Sequence, residues 1–408
     1  MDTRVLLRQV GLDRISDIGA TTFRDFVRDA MREMIARVMA EEVHQLCGAR
    51  YRPETGARRY RAGSSPGYVL HDGQRMEVVR PRVRERTPAE ATTEVKLATY
   101  EAAQDPTVLQ GHLLEALRCG VSSREQKRLR GDRTPGTSRS EVSRLWLAEG
   151  KRLLGEFRSR RIERDDWLAL LLDGLALGGD LLAVVALGIA ADGTKMLLDF
   201  EIGASENAEV AKGLLARLQA RNFRPAAGCR LLSVLDGSDA LKQAVVAYWP
   251  EAVTQRCLVH KERNLRRYLP KRHWGELAGL FDRLRKAQGE KAGREALRAI
   301  EAFLADKNAA ALASFHEAGE DLIAVHKLEV PATLNGSLLS TNLIENPFRN
   351  VRRKIGRVTR WRAETDQPSR WLSYALLEAE RGFRRIRHHG DLPQLAAALK
   401  RKECAAAG

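Results

Sequence analysis

WLALLLDGLALGGDLLAVVALGIAADGTKMLLDFEIG, residues 167–203, decides the fold. Within it WLALLLD, LLAVVALGI and KMLLDFEIG are short apolar runs closed by Asp or Gly, which reads as three buried strands. The Asp192-Gly193 pair between the last two is an ordinary hairpin turn. Downstream, CRLLSVLD at 229–236 and AVTQRCLVH at 252–260 supply a fourth and a fifth strand. The intervening SENAEVAKGLLARLQARNF (205–223) is a capped helix, and SDALKQAVVAYWP (238–250) is a second helix. The order strand, strand, strand, helix, strand, helix, strand implies an α/β fold, a mixed sheet covered by helices.

Working outward, residues 261–330 are helical throughout and lack strand texture, so they form an insertion. Residues 366–387 make another long helix, and 391–408 a short helical tail. On the N-terminal side, residues 21–47 space their apolar side chains by alternating threes and fours, the mark of an amphipathic helix. ARYRPETGARRYRAGSSPG (49–67) breaks that pattern with glycine, proline and arginine and reads as a basic linker. In YVLHDGQRMEVVRPRVRER (68–86), Asp72-Gly73 joins two alternating runs as a small hairpin. Residues 106–157 then give three helices. The first stops at Gly120, the second runs from a serine cap to Gly131, and the third opens on hydroxyl caps. This short helix, turn and helix resembles a helix-turn-helix DNA reader, with Arg139 and Arg144 at the start of the last helix placed to touch DNA.

Across the 408 residues Lys and Arg outnumber Asp and Glu by 69 to 53, a net charge of +16, which favours a polyanionic partner. The five cysteines, at 47, 119, 229, 257 and 404, are scattered and odd in number, which suits a reducing cytoplasm rather than a disulfide framework. The N-terminus has no apolar core of signal-peptide length, and the longest apolar run, 181–191, is too short to span a bilayer. A soluble, cytoplasmic, basic protein with no membrane partner is expected.

Two of the apolar runs end in the same pair, Asp173-Gly174 and Asp236-Gly237. A carboxylate at the C-terminal end of a buried strand sits at the rim of the sheet, where open α/β folds bind ligands, although Asp-Gly is also a common turn dipeptide. A third carboxylate, Glu345, heads STNLIENPFRNVRRKIGRVTRWR (340–362), which carries seven basic residues and no other acid. One reading of Glu345 is a capping box with Asn342 as N-cap. At about 100° per residue, however, Ile344, Phe348, Val351 and Ile355 share one side while Glu345, Arg349 and Arg352 share an edge about a quarter turn away. Converging carboxylates need a cation, and Mg²⁺ suits such oxygen donors, with Mn²⁺ as a substitute. Two such ions about 4 Å apart serve phosphoryl transfer. Arg349, Arg352, Arg353 and Lys354 would hold the DNA backbone.

At these residues the chain closely resembles the mutator-type family of bacterial insertion-sequence transposases, which place an Asp-Asp-Glu triad on a ribonuclease H-like fold. The resemblance rests on the ordered series LLLDG, VVALGIAADGTKMLLDFEIGASEN, LSVLDGSDALKQAV, QRCLVHKERNL and STNLIENPFRNVRRKIGRVTRW. It covers roughly 160–390. It implies Asp173, Asp236 and Glu345 as metal-binding catalytic residues, and Arg352 as the basic residue seven after the Glu. Cys257 and His260 match the family's Cys-x2-His motif. A zinc site would need two more ligands, for which His44 and Cys47 are the only obvious complement, so a structural role beside the active site is the expectation. Pro347 departs from the family's small or polar residue and is expected to kink the Glu-bearing helix. Val210 or Ala211 stands where the family often has Trp.

The expected organisation is an N-terminal helical region at 1–60, then a basic linker with a small β-hairpin at 61–100, then a helix-turn-helix-like module at 101–160. The catalytic domain occupies 161–260 and 339–365, interrupted by the helical insertion at 261–338, and C-terminal helices fill 366–408. The implied activity is binding of terminal inverted repeats, metal-dependent strand cleavage and strand transfer into target DNA by a homo-oligomer. The rival readings are a catalytically inactive DNA-binding relic and a junction-resolving nuclease on the same fold.

Overall fold

The computed structural model describes residues 20–51, 58–87, 91–130, 134–178, 180–203 and 208–400. The expected helix stop at Gly131, the cap of the 205–223 helix at Ser205, and Cys404 lie outside the described residues. The chain divides into two compact units, Met1–Ala148 and Glu149–Gly408.

In the first unit α1 (Ala20–Cys47) precedes an antiparallel sheet ordered β1 (Arg59–His71), β2 (Gln74–Arg86) and β3 (Thr92–Val95). The β1–β2 turn is Asp72-Gly73, both with positive φ (48° and 67°), the backbone that two-residue hairpins of matching twist require. The basic-linker reading fails from Arg59 onward, because residues 59–67 are strand and pair with β2 through Arg59↔Glu85 and Gly67↔Val78. Met31 and Ile35 of α1 pack on Val69, Met76 and Val78 of the hairpin, and Val43 and Cys47 pack on Val83 and Leu97. Then come α2 (Ala98–Ala102), α3 (Thr107–Arg118), α4 (Gln126–Arg130) and α5 (Arg139–Ser159), whose sequence crosses the boundary between the units. Leu109, Leu113 and Leu117 of α3 bury against Val142 of α5. Ser138 closes the start of α5: its Oγ accepts from the Glu141 amide and donates to the Glu141 carboxylate.

The second unit holds a five-stranded sheet in the order β6–β5–β4–β7–β8. β4 (Trp167–Gly178), β5 (Leu181–Ala190) and β6 (Lys195–Gly203) pair antiparallel with one another in turn, while β7 (Leu232–Leu235) and β8 (Val253–Arg256) run parallel to β4. Between β6 and β8 lie α6 (Ala208–Ala220) and α7 (Asp239–Tyr248). Their Leu214, Leu215, Leu218, Leu241 and Val245 form one core with Leu170, Leu172, Val184 and Leu198 of the strands. Asp199 of β6 is fully buried and takes guanidinium groups from Arg158 of α5 (3.0 Å) and from Arg217 (3.0 Å) and Arg221 (3.6 Å) of α6.

From Leu258 to Leu399 the named elements are all helical: α8 (Leu258–Arg266), α9 (Trp274–Lys286), α10 (Gly289–Lys307), α11 (Ala309–Ala318), α12 (Asn335–Leu338), α13 (Asn342–Ile355), α14 (Gln367–Glu380) and α15 (Leu392–Leu399), with short 3-10 turns between. α13 lies against both β4 and α14, and its Ile344, Phe348, Val351 and Ile355 are buried as the helical spacing requires. Pro347 does not end this helix, which runs through it to Ile355 with the proline ring buried. Trp361 donates its indole N–H to the carbonyl of Leu177 (2.9 Å) at the end of β4, so it packs on the sheet. Among the described residues no helix is long and apolar enough to cross a membrane.

Candidate active site

Asp173 stands where β4 changes its neighbours. β7 pairs with β4 only as far as Leu172↔Leu235, whereas β5 continues through Asp173↔Val185 to Gly178↔Leu181. The expectation that the strand ends at Asp173 is therefore wrong, because the antiparallel partner carries β4 five residues further. Asp173 is nonetheless the first residue past the parallel pairing, and Asp236 directly follows the last residue of β7, so both carboxylates belong to the same rim. Leu170 and Leu172 point into the core under α6 and α7, so alternation sends Asp173 to the other face.

α13 brings Glu345 to that face. The N-cap is Thr341, not Asn342, and the Glu345 amide bonds to the Thr341 carbonyl at 2.9 Å. The capping-box reading does not hold, since the Glu345 carboxylate reaches across to His260 Nε2 at 3.0 Å. His260 is in the first turn of α8, which is capped by Cys257. The Cys257 Sγ accepts from the His260 amide (3.5 Å), the Thr341 amide (3.3 Å) and the Thr341 hydroxyl (3.5 Å). The Thr341 hydroxyl also lies 3.3 Å from His260 Nδ1. The Cys-x2-His pair thus ties the start of α8 to the start of α13.

Ligand atoms of Asp173, His260 and Glu345 all lie within 4.8 Å of one another. Asp236 is not one of these three, but it is near enough for its charge to act on Asp173. Its Oδ1 accepts from the Ser238 amide (3.0 Å), a turn that opens α7. Sequence reasoning put His260 beside the active site in a structural role but not among the possible ligand atoms, where its imidazole lies with Asp173 and Glu345. The signal available was the Cys-x2-His spacing, which puts a histidine in the first turn of a helix that follows a rim strand. Within the first unit His44 is exposed, and Cys47 is buried in the apolar core.

Burial pushes the Asp173 carboxyl up to about 8, the His260 cation opposes that rise, and the charges of Asp236 and Glu345 add to it. Burial works against charge on His260 as well, but the hydrogen bond and charge of Cys257, with Asp173 and Glu345, outweigh it and hold the imidazole at about 9. Burial raises the Cys257 thiol, yet His260 and Thr341 bring it below its usual value. The site therefore crowds negative groups around one cation, a balance that a divalent ion would complete. Two carboxylates and an imidazole suit Mn²⁺, and the oxygens suit Mg²⁺.

Of the expected DNA contacts, Arg349, Arg352 and Arg353 are exposed along α13, and Lys354 is half-buried with its ammonium 6.0 Å from the Tyr374 ring centroid. Arg349 and Arg353 donate to Asn346 (3.4 Å) and Asn350 (3.2 Å), one turn before each. In the first unit Arg139 and Arg144 are exposed on the first turns of α5.

The family model described as "Transposase, Mutator family" matches residues 5–380. The transposase for insertion sequence element IS1081 of Mycobacterium tuberculosis is 27% identical over 355 residues, 83% of this chain and 81% of its own. The transposase for insertion sequence element IS6120 of Mycolicibacterium smegmatis is 29% identical over 225 residues, 53% of this chain and 67% of its own.

Proposed function

Because this chain belongs to the Mutator family of transposases, we propose that it is an Asp-Asp-Glu transposase that cuts and joins DNA at the ends of its own insertion sequence. The observation that carries the reading is the convergence of Asp173 and Glu345 on one face of the sheet, beside Asp236. The strand order, three antiparallel strands followed by two parallel ones, supports a ribonuclease H-like sheet with the triad at its rim.

Asp173, Asp236 and Glu345 would hold Mg²⁺, with Mn²⁺ as a substitute. A divalent ion there supplies Lewis acidity for phosphoryl transfer. His260 keeps the Glu345 carboxylate oriented toward Asp173 through its Nε2 contact, and the Cys257–Thr341 bonds hold that imidazole in place. The exposed Arg349, Arg352 and Arg353, with Lys354, extend from Glu345 along α13 and neutralise the phosphodiester backbone leading to the carboxylates. In the first unit, α3 to α5 read the terminal inverted repeats, Arg139 and Arg144 among the contacts. Hydrolysis at the element end frees a 3′-hydroxyl, which attacks a phosphodiester of the target and displaces a second 3′-hydroxyl. No covalent enzyme–DNA bond is required. Two ends must be joined, so at least two copies act together on DNA in the cytoplasm.

The test uses end-labelled duplexes that carry the imperfect inverted repeats flanking the gene, with Mg²⁺ or Mn²⁺. Cleavage and joining by the natural chain, lost in Asp173→Asn and Glu345→Gln with binding retained, is the expected result. Binding without cutting by the natural chain in either metal would replace the reading with a DNA-binding relic. Cleavage of branched DNA of any sequence, with no joining, would replace it with a resolvase.

A further inference from the structure

We propose that Glu317 is a positioning residue for the metal-binding rim, setting the Asp236 loop through Arg256; this rests on the reading of Asp236 as a metal ligand. Arg256 ends β8 and pairs in register with Leu235, the residue before Asp236. Its side chain folds over the next residue of that loop. A Cβ on Gly237 would lie 2.5 Å from Arg256 Nε, and Gly237 has φ +119°. The position therefore demands glycine so that the guanidinium can lie on the backbone. From there Arg256 Nη2 donates to the Gly237 carbonyl at 2.9 Å.

The guanidinium is held from the other side. Its Nη1 meets Glu317 Oε1 of α11 at 2.7 Å, and Glu317 Oε2 meets Lys261 Nζ of α8 at 3.0 Å. Lys261 is 1% exposed and also reaches the Ser314 hydroxyl (3.3 Å), so Glu317 is the counter-charge of a buried ammonium. One turn further on, Asp321 pairs with Lys242 of α7, the helix that the Asp236 turn begins. Gln255, next to Arg256, is fully buried and fastens β8 to the same segment through the Leu322 carbonyl (3.0 Å) and the Val325 amide (2.9 Å). The stretch 317–325 thus grips both flanks of the Asp236 turn, and Glu317 reaches that turn through a guanidinium resting on the Gly237 backbone. This gives the helical insertion a task beyond bulk. Without Glu317 the guanidinium loses its fixed position, and the Gly237 peptide loses its donor.

The experiment measures Mn²⁺ binding to the full chain by electron paramagnetic resonance, with unfolding temperature and end-DNA binding measured alongside. Glu317→Gln and Arg256→Lys are each expected to weaken Mn²⁺ binding about tenfold, the usual scale for partners that orient a metal ligand. The double variant should be no weaker than either single one, because both act through one contact. End-DNA binding should stay within about twofold, since no phosphate-binding side chain is altered. If Glu317→Gln unfolds because Lys261 is left unpaired, Glu317→Gln with Lys261→Met removes the orphan charge and must show the same weakening. Natural Mn²⁺ affinity in Glu317→Gln or in that folded double variant overturns the proposal, as do additive losses in Glu317→Gln with Arg256→Lys. Asp236→Asn separates the two levels. If it leaves Mn²⁺ binding untouched, the metal-site reading falls and takes the proposal with it. If it abolishes binding while Glu317→Gln does nothing, only the positioning role falls.

Discussion

Asp173→Asn should make the metal-free protein more stable. Asp173 is 3% exposed, and burial lifts its carboxyl from 3.8 to about 8. Four units at about 1.4 kcal/mol each would be roughly 6 kcal/mol at alkaline pH. Local relaxation reduces that, leaving about 2–3 kcal/mol as a working figure. The sign follows from the folded value lying above the unfolded one. The contribution is fully present below pH 3.8 and is lost as pH rises through about 8, because the unfolded chain releases this proton first. His260 shifts the same way, but from 6.5 to about 9, so its contribution changes little until pH nears 6.5 and is shared by both proteins, which lets their difference report Asp173. Asparagine keeps an oxygen for the Gly174 amide that Asp173 Oδ1 now accepts at 3.0 Å, so the fold should survive. The assay is urea unfolding of both proteins with EDTA at half-unit steps from pH 4 to 6.5, taking their difference so that shared carboxylates cancel. The variant should match the natural chain at pH 4 and exceed it by about 2 kcal/mol at pH 6.5. Saturating Mn²⁺ should then stabilise the natural chain far more than the variant. A difference that does not change with pH, or a variant that is the less stable at pH 6.5, would refute the reasoning.

Three further outcomes can be checked with the same proteins and DNA. Phe348→Ala, which empties a 1% exposed position under the Glu345 helix, should cost about 3–5 kcal/mol in urea unfolding and reduce cleavage with it. Gly237→Ala forces a Cβ to 2.5 Å from Arg256 Nε at φ +119°, so Mn²⁺ binding should weaken by at least about tenfold while end-DNA binding holds. Arg352→Ala should weaken DNA binding on every sequence and make the slope of log affinity against log salt shallower by about 1, as removal of one phosphate contact does; an unchanged slope would take Arg352 out of the interface.

Much of this arrangement was legible because its signals are local. The runs at 181–189 and 195–203 are strands to within a residue, since short apolar runs bounded by turn dipeptides leave little choice. The face of α13 follows from four apolar residues at helical spacing, all of them buried. The errors arise where a distant partner decides. Asp173-Gly174 carries the composition of a turn, but β5 offers hydrogen bonds beyond it and the strand continues. Residues 59–67 carry the composition of a loop, yet β2 pairs with them, Pro66 included, opposite Val79. His260 and Glu345 are far apart in sequence, and their contact depends on Cys257 binding Thr341, a bond between two helix starts that no periodicity announces. Pro347 does not interrupt the helix that bears Glu345. Its ring is buried on the side that also buries Ile344 and Phe348.

The hairpin, which reaches back into the expected linker, settles when its arginines lose their freedom. Arg80, Arg82, Arg84 and Arg86 recur at every second residue of β2 and so share a face, and Arg80 and Arg82 are both pinned by Glu94. Arg75 lies over the Tyr68 ring at 4.7 Å and Arg86 over Tyr60 at 5.4 Å. An arginine on a loose tether surrenders up to about 2 kcal/mol of rotamer entropy at the moment it grips a phosphate. These side chains have already given up part of theirs during folding, so a polyanion docking on this face would find its cations set out in advance.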